Sequence, residues 1–309
     1  MTPRNSPPPR RQSPPPRTPV LPPSAHVPAR RNAAATRPDQ LLPFVRTLIW
    51  PVFVLSIANG VFLYGLPWLA EGWYAWPIRP SINAGAMGAG YLIGVLGAGM
   101  GLFAVNHWRS IRPFMPAIFT IGILLTIATL LHADRFRWGS PLTWIWIVVY
   151  VAIPIVAALV WSLQEVSGKS APAAAEGLAV TAGASVAIGS IISLTGLIWF
   201  LTPQSIMAIW PWPLTPLLTR SLASWYVFMG VLLLVSGTTS RHVREIPLVH
   251  ATVAGWSLLL LLLVPFHWAG LRAGTALLFW IACHVLLLIF CGASALKAWE
   301  RMRRAGDEF

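Results

Sequence analysis

Charged residues are scarce in this chain. Only 10% of its 309 residues are Asp, Glu, Lys or Arg, while 56% are hydrophobic. A water-soluble domain normally carries about a quarter charged residues, so this composition excludes an ordinary soluble protein and indicates a membrane protein. The chain has only 2 cysteines, Cys283 and Cys291. A helix would separate them by roughly 12 Å, which is too far for a disulfide.

Motifs of the common enzyme classes are also missing. The chain has no G-x-x-x-x-G-K-[ST] phosphate loop, no H-E-x-x-H, no C-x-x-C and no G-x-S-x-G. No Asp, Glu, Lys or Arg falls near the middle of an apolar run, where such residues usually mark proton or ion pathways. We therefore expect a non-enzymatic protein without a cofactor, and not a carboxylate-driven transporter.

Apolar runs, in contrast, are abundant. A span takes about 20 helical residues, and eight stretches qualify. They lie at approximately 46–67, 82–105, 113–132, 143–163, 178–200, 218–238, 246–266 and 273–296. The sequence predicts an all-α, polytopic membrane helix bundle of about eight transmembrane helices.

The basic residues are unevenly distributed between these runs. If the amino terminus is cytoplasmic, 17 of the 22 Lys and Arg lie on the cytoplasmic side and 5 outside. Because cytoplasmic loops carry an excess of Lys and Arg, both termini are predicted in the cytoplasm, in a plasma membrane. The basic excess is thus attributed to topology and not to nucleic-acid binding.

The two halves of the chain resemble each other at a spacing of about 136 residues. The aligned pairs include Pro67 with Pro203, Trp76 with Trp212, Tyr91 with Tyr226, His107 with His242, Arg109 with Arg244 and His132 with His267. Four spans are an even number, so both copies would enter the membrane from the same side. The sequence predicts two parallel four-helix repeats.

Five segments follow from these patterns. They are a disordered Pro/Arg-rich cytoplasmic tail at 1–42, the first repeat at 43–165, a cytoplasmic linker at 166–177, the second repeat at 178–298 and a charged cytoplasmic tail at 299–309. The first tail is predicted to be disordered because it has no apolar run that could be buried.

The densest polar cluster outside the tail follows the third span, on the predicted outer side. Its members are His132, Asp134, Arg135 and Arg137, and the Pro-rich segment after the first span adds Glu71, Trp73 and Trp76 at the same face. These side chains predict a shallow ligand pocket in which Arg135 binds an anionic group, Asp134 orients Arg135 or His132, and tryptophans form the floor. The alternative is a capped helix end with a local salt bridge.

Histidines suggest a second, weaker kind of site. His132 and His267 are related by the repeat and could converge at equal depth on a metal or a haem. Otherwise each is a hydrogen-bonded residue at the membrane interface.

Four short motifs carry a resemblance to a family. WYAWPIRP, GAGYL, HWRSIRP and LLHADRF together resemble a loosely defined set of uncharacterised bacterial multi-pass membrane proteins with WPxxP and LLHxDRF-like motifs. The likeness covers roughly residues 60–165. It implies a bacterial plasma membrane and carries no activity.

Three functions remain open from the sequence. The first is a scaffold or accessory subunit of a membrane complex, or a carrier of a small or lipid-like ligand. The others are a His-based haem or metal redox protein and a sensor with an outer ligand site. Expected partners are the lipid bilayer and other membrane proteins or further copies of this chain, but no nucleic acid.

Overall fold

The structure, a computed structural model, describes residues 40–105, 107–167, 179–239 and 243–304. Within these ranges the chain is helical and has no β-strand, apart from one isolated antiparallel bridge between Gln40 and His107. The predicted all-α fold class is confirmed.

Eight of the described helices are long and apolar enough to cross a membrane. They are α1 (Pro43–Gly60), α2 (Ser81–Phe103), α3 (Phe114–Leu131), α4 (Pro141–Ser167), α5 (Ala179–Leu201), α6 (Pro216–Thr239), α7 (Ile246–Phe266) and α8 (Thr275–Arg304). The chain is therefore a multi-pass membrane protein, with the number of spans that the sequence predicts.

Short helical turns connect the long helices. They are the π-helical turn Val61–Gly65, the α-helical turns Ala70–Trp73, Trp108–Ile111 and Gln204–Met207, and the 3-10 turns Pro67–Leu69, Ala133–Arg135, Val243–Glu245 and Trp268–Gly270. Nearly all of the tail predicted at 1–42 and most of the linker predicted at 166–177 lie outside the described residues.

Prolines lie inside three of the long helices without ending them. They are Pro51 in α1, Pro154 in α4 and Pro265 in α7. A neighbouring helix can satisfy the backbone groups that such a proline frees. At Pro154 that neighbour approaches closely, because a Cβ on Gly122 of α3 would lie 2.7 Å from the proline ring.

The long helices pack as pairs of sequence neighbours. These pairs are α1 with α2, α3 with α4, α5 with α6 and α7 with α8, and the most extensive contacts between the halves of the chain are those of α3 with α6 and of α2 with α7. Within the most apolar 18-residue stretch of each helix, 72% of the residues are buried in α6 and 67% in α7, against 17% in α1 and 22% in α5. Helices α2, α3, α6 and α7 therefore form the centre of the bundle. The other four lie around it and expose aliphatic side chains, as lipid-facing helices do.

Glycines set the distance between α5 and α6. A Cβ added to Gly230 would lie 2.6 Å from the backbone nitrogen of Ser193 and 2.8 Å from the carbonyl oxygen of Gly189. A Cβ added to Gly189 would in turn lie 2.7 Å from the carbonyl oxygen of Gly230. Small residues permit such close backbone approach between membrane helices.

We expect Gly230→Ala to destabilise the protein by about 1–2 kcal/mol, because the added methyl group forces two backbones apart. Thermal unfolding of the protein in detergent measures this. Gly183→Ala in α5 is the matched control, since a Cβ at Gly183 meets nothing within 4 Å. Equal melting temperatures for the two variants would contradict the close α5–α6 contact.

Candidate functional site

The two ends of the bundle are named by the first helix. The amino side is the one on which α1 begins, near Pro43, and the far side is the one on which the π-helical turn ends, near Gly65. The residues of the predicted outer cluster lie at the far side.

The segment after α1 holds three residues of that cluster in different environments. Glu71 forms an ion pair with Arg79. Trp73 is 70% exposed, whereas Trp76 is 1% exposed. The Trp76 ring packs 4.7 Å, centroid to centroid, from that of Trp146 in α4. Trp76 is thus part of the core, and Trp73 is available to lipid or to a ligand.

Arg137 is held by the backbone of the same segment. Its guanidinium group donates hydrogen bonds to the carbonyl oxygens of Gly72 at 2.6 Å, of Tyr74 at 3.1 Å and of Glu71. The backbone N–H of Arg137 also donates a hydrogen bond to the carbonyl oxygen of Ala75 at 2.9 Å. This arrangement occupies most of the donors that an anionic ligand would need, and it ties the loop before α4 to the segment after α1.

Asp134 and Arg135 form a local pair at the surface. The Arg135 Nε lies 3.0 Å from the Asp134 Oδ2, and the two side chains are 70% and 69% exposed. Of the charged side chains in the predicted cluster, these two are the most exposed. The role of this pair as an anion site stays a prediction.

The two repeat-related histidines contact different groups. The His132 Nε2 accepts a hydrogen bond from the Arg220 Nη1 at 2.7 Å, while the His267 Nδ1 lies 3.5 Å from the Ser81 Oγ. Burial lowers the pKa of His132, and the neighbouring Arg220 lowers it further; burial also lowers the pKa of His267. Among the described residues no group of three His, Cys, Asp or Glu side chains could hold a metal ion.

A large cavity lies between the first four long helices. Its volume is about 550 Å³, and its walls are mostly aliphatic and aromatic, with Trp225 and Phe228 of α6 closing the inner side. Leu48 of α1 and Leu142 and Ile145 of α4 line it and are 38%, 41% and 47% exposed. The cavity therefore opens between α1 and α4 toward the lipid.

At the amino side, α4 and the start of α1 are joined by one amide. The Gln164 Nε2 donates to the carbonyl oxygen of Gln40 at 2.9 Å, and the Gln164 Oε1 accepts from the Leu42 N–H at 3.3 Å. These two bonds fix the spacing of the two helices at that end of the opening.

Three buried tyrosines bring hydroxyl groups to the cavity wall. Tyr74, Tyr91 and Tyr150 are 4%, 9% and 6% exposed. The hydroxyls of Tyr91 and Tyr150 lie 2.5 Å apart, and the Tyr74 hydroxyl donates to the Asn59 Oδ1 at 3.2 Å. Burial raises the pKa of Tyr74 well above its usual range, and nearby Tyr150 raises it further, while a hydrogen bond with Tyr91 acts in the opposite direction. We call Tyr74, Tyr91, Tyr150 and Asn59 the phenol cluster.

One further polar group on the wall has no hydrogen-bond partner. The indole N–H of Trp225 is buried and unpaired among the described residues. The Trp225 ring lies 5.4 Å from the ring of Tyr91, centroid to centroid. Because a buried donor without an acceptor is costly, this N–H is a candidate ligand contact.

A charged network lies at the amino side, away from the cavity wall. Glu245, at the start of α7, is fully buried, 3.5 Å from Arg109 and 3.8 Å from Arg112. Arg112 also pairs with Glu165 at the end of α4, at 2.6 Å. The Arg244 Nη1 lies 3.0 Å from the His107 Nδ1. These contacts connect the beginning of α3 to the beginning of α7, and so join the two halves of the chain.

No protein-family model, curated protein or solved structure matches this chain.

Sequence reasoning missed the phenol cluster and the charged network. One signal was visible: three of the chain's 5 tyrosines belong to the phenol cluster, and two of these, Tyr91 and Tyr150, lie inside apolar runs. The charged network was harder to recognise in the sequence, because the positive-inside rule already explains basic residues at the positions of Arg109 and Arg112. Only the fold brings Glu245 to them.

Proposed function

We propose that this chain is a non-enzymatic membrane protein that binds a lipid-like ligand in the cavity that opens between α1 and α4, and acts as its carrier. The observation that carries the proposal is the cavity itself. Ligand pockets typically enclose about 300–1,000 Å³ behind mostly apolar walls with a few polar groups, and this cavity, at about 550 Å³, has that character.

The position of the opening supports a lipid-like ligand over a water-soluble one. Exposed Leu48, Leu142 and Ile145 lie at its edge, on the surface that hydrocarbon chains would cover. An apolar molecule dissolved in the bilayer could enter sideways without crossing a polar surface. The exposed Trp73 at the far-side end is suited to the membrane interface, where tryptophan is enriched.

We also propose that the bundle consists of two parallel four-helix repeats. Matching contacts in the two halves support this. Arg137 donates to the carbonyls of Glu71 and Gly72, and Arg272 donates to those of Met207 at 3.4 Å and Ala208 at 3.2 Å, the positions that the repeat spacing assigns. The α1–α2 and α5–α6 contacts correspond in the same way.

For orientation, we propose that the amino side faces the cytoplasm of a bacterial plasma membrane. Arg109, Arg112, Arg244 and the basic end of α8 all lie on that side, as the positive-inside rule would require. Reporter fusions after residue 138 and after residue 304 would test it, since the first should report the outside and the second the cytoplasm.

A cavity-filling variant tests the proposed function. Native mass spectrometry of the purified protein should detect a retained lipid-like molecule, and Ala157→Phe should reduce its occupancy to background, because Ala157 is 3% exposed and lines the cavity. Ala158→Phe is the matched control. Ala158 is next to Ala157 in the sequence, but it is exposed and lies outside the cavity lining, so ligand occupancy should persist in this variant.

Unchanged occupancy in Ala157→Phe would contradict the cavity as the ligand site. If that variant does not fold, Ala98→Leu, at another lining position, serves the same purpose. Wild-type protein that retains no lipid-like molecule but co-purifies with other subunits in fixed ratio would replace the carrier by an accessory subunit.

A further inference from the structure

We propose that the ligand is an uncharged lipid whose hydroxyl or carbonyl oxygen binds inside the membrane span, between the Trp225 indole and the Tyr91–Tyr150 hydroxyl pair. This inference rests on the proposed function and specifies the substrate class of the same cavity. Four features of the cavity carry it.

The first feature is the lack of charge on the wall. Among the described residues that line the cavity, none is Asp, Glu, Lys, Arg or His. A phosphate or carboxylate inside this cavity would be buried without a counter-ion, which is strongly unfavourable in a low-dielectric environment. The chemistry of the wall therefore selects a neutral head group.

The second feature is the depth of the hydrogen-bonding groups. Tyr91 lies about 15 Å along α2 from its start at Ser81, and Tyr150 lies about 14 Å along α4 from Pro141, at 1.5 Å per residue. Both α-carbons therefore lie well inside a hydrocarbon layer about 30 Å thick, and the side chains, which lean toward the start of their helices, bring the hydroxyls into its far-side half, where Tyr91 also bonds Tyr74. The head group of an ordinary phospholipid stays at the interface, but the single oxygen of a neutral lipid can reach this depth.

The third feature is the unused hydrogen-bonding capacity. The Trp225 N–H has no acceptor among the described residues, and it supplies a donor beside Tyr91. The two hydroxyls of Tyr91 and Tyr150 carry two protons, and their mutual bond uses one. The second proton lies in the hydrogen bond that Tyr91 makes with Tyr74, so the tyrosine pair offers a ligand the remaining lone pairs of its oxygens. A ligand hydroxyl that accepts from Trp225 and donates to one of these oxygens would use all of these groups, whereas a ligand carbonyl would accept from Trp225 alone.

The fourth feature is the shape of the space around the polar groups. From the depth of Tyr91 the lining continues along α1 and α4 toward the amino side through Ile49, Ile153, Val156 and Val160. These aliphatic side chains offer an apolar surface to a hydrocarbon tail, and the opening between α1 and α4 leads that tail into the bilayer. A ligand with one oxygen and one long hydrocarbon tail therefore matches the shape of the cavity.

The second half places different groups at the corresponding depth. The Tyr226 hydroxyl lies 3.0 Å from the His284 Nε2 and accepts from the Trp280 N–H at 3.1 Å. The rings of Trp199, Trp210 and Trp256 surround Tyr226 at centroid distances of 5.2, 6.0 and 4.9 Å. Its hydroxyl is thus already paired inside an aromatic cluster, so we expect one ligand for each chain.

Probes of equal chain length test the head-group chemistry. Hexadecane, hexadecanol, the methyl ketone of the same length and hexadecanoate are each offered to delipidated protein in nanodiscs, and binding is measured by native mass spectrometry. The alcohol and the ketone should bind more tightly than the hydrocarbon and the carboxylate. The comparison of alcohol with ketone then decides which of the two oxygens the site prefers.

Two pairs of variants locate the oxygen. Tyr150→Phe and Trp225→Phe should each weaken binding of the preferred probe by roughly three- to tenfold, the range expected for one lost hydrogen bond, and leave hexadecane binding unchanged. Tyr226→Phe and Trp256→Phe are the matched controls, because both residues lie outside the cavity lining and should leave all probes unaffected.

The outcomes separate this inference from the proposed function. If hexadecane binds as tightly as the oxygenated probes, or if Tyr150→Phe and Trp225→Phe bind them as well as wild type, the head-group assignment is wrong while the cavity remains a lipid site. If hexadecanoate binds best, the neutral-lipid assignment is wrong. If no probe binds and Ala157→Phe and wild type retain the same molecules, the proposed function fails as well.

Discussion

Replacing Glu245 by alanine should destabilise the protein by about 3–5 kcal/mol, the largest effect that we expect from a single substitution. The carboxylate is fully buried between Arg109 and Arg112, and removal of one partner from a buried ion pair leaves the other charges without compensation. Glu245 also precedes the first turn of α7, where a negative charge interacts favourably with the helix dipole. Thermal unfolding in detergent, followed by tryptophan fluorescence, measures the loss.

An exposed carboxylate provides the control for Glu245. Glu300 pairs with Arg304 at 3.7 Å on the surface of α8, and the two side chains are 67% and 82% exposed. Surface pairs contribute only about 0–1 kcal/mol, so Glu300→Ala should leave the melting temperature nearly unchanged. If Glu245→Ala were as mild as Glu300→Ala, the network would not hold the two halves together.

The second large effect is expected at Arg137. Arg137→Ala removes a charged donor from three backbone carbonyls, those of Glu71, Gly72 and Tyr74, and should destabilise the protein by about 1.5–3 kcal/mol, the range for hydrogen bonds to a charged group. Because these bonds fix the segment that carries Tyr74, we also expect weaker ligand retention in the cavity. The melting temperature and the lipid occupancy of the same sample give both values.

Two controls distinguish a structural from a ligand-binding Arg137. Arg272→Ala removes the corresponding but longer bonds in the second half, so it should destabilise less and leave the cavity unaffected. Asp134→Ala removes only an exposed pair with Arg135 and should cost about 0–1 kcal/mol. An Arg137→Ala variant with unchanged stability that no longer binds an anionic ligand would instead support the predicted outer pocket.

The number and type of the spans could be predicted because hydrocarbon thickness fixes the length of an apolar run. The ends of the helices could not. Helix α8 continues to Arg304, past the predicted span end at 296 and repeat end at 298, because a helix need not stop where the membrane does. Helix α1 begins at Pro43, upstream of the predicted 46, since proline is favoured in the first turn of a helix.

The outer cluster shows why the site was harder to predict than the spans. Asp134, Arg135 and Arg137 are close in sequence, but they point in different directions. Asp134 and Arg135 lie in a 3-10 turn and are exposed to solvent, whereas Arg137 follows the turn and contacts the backbone of a distant segment. Hydrogen bonds from a guanidinium group to backbone carbonyl oxygens cannot be predicted from the sequence, because every residue has such an oxygen. The pairing of Tyr91 with Tyr150 likewise depends on how α2 and α4 are placed in the bundle.

The pairing of central helices across the two halves bears on how this protein is made. Helices α2 and α3 find partners in α7 and α6, which leave the ribosome much later. During synthesis, the first four spans must therefore remain in the membrane with their inner surfaces covered by lipid or by an insertion factor. A chain truncated after α4 should consequently be recognised by membrane quality-control proteases, even though every one of its spans is long enough to insert.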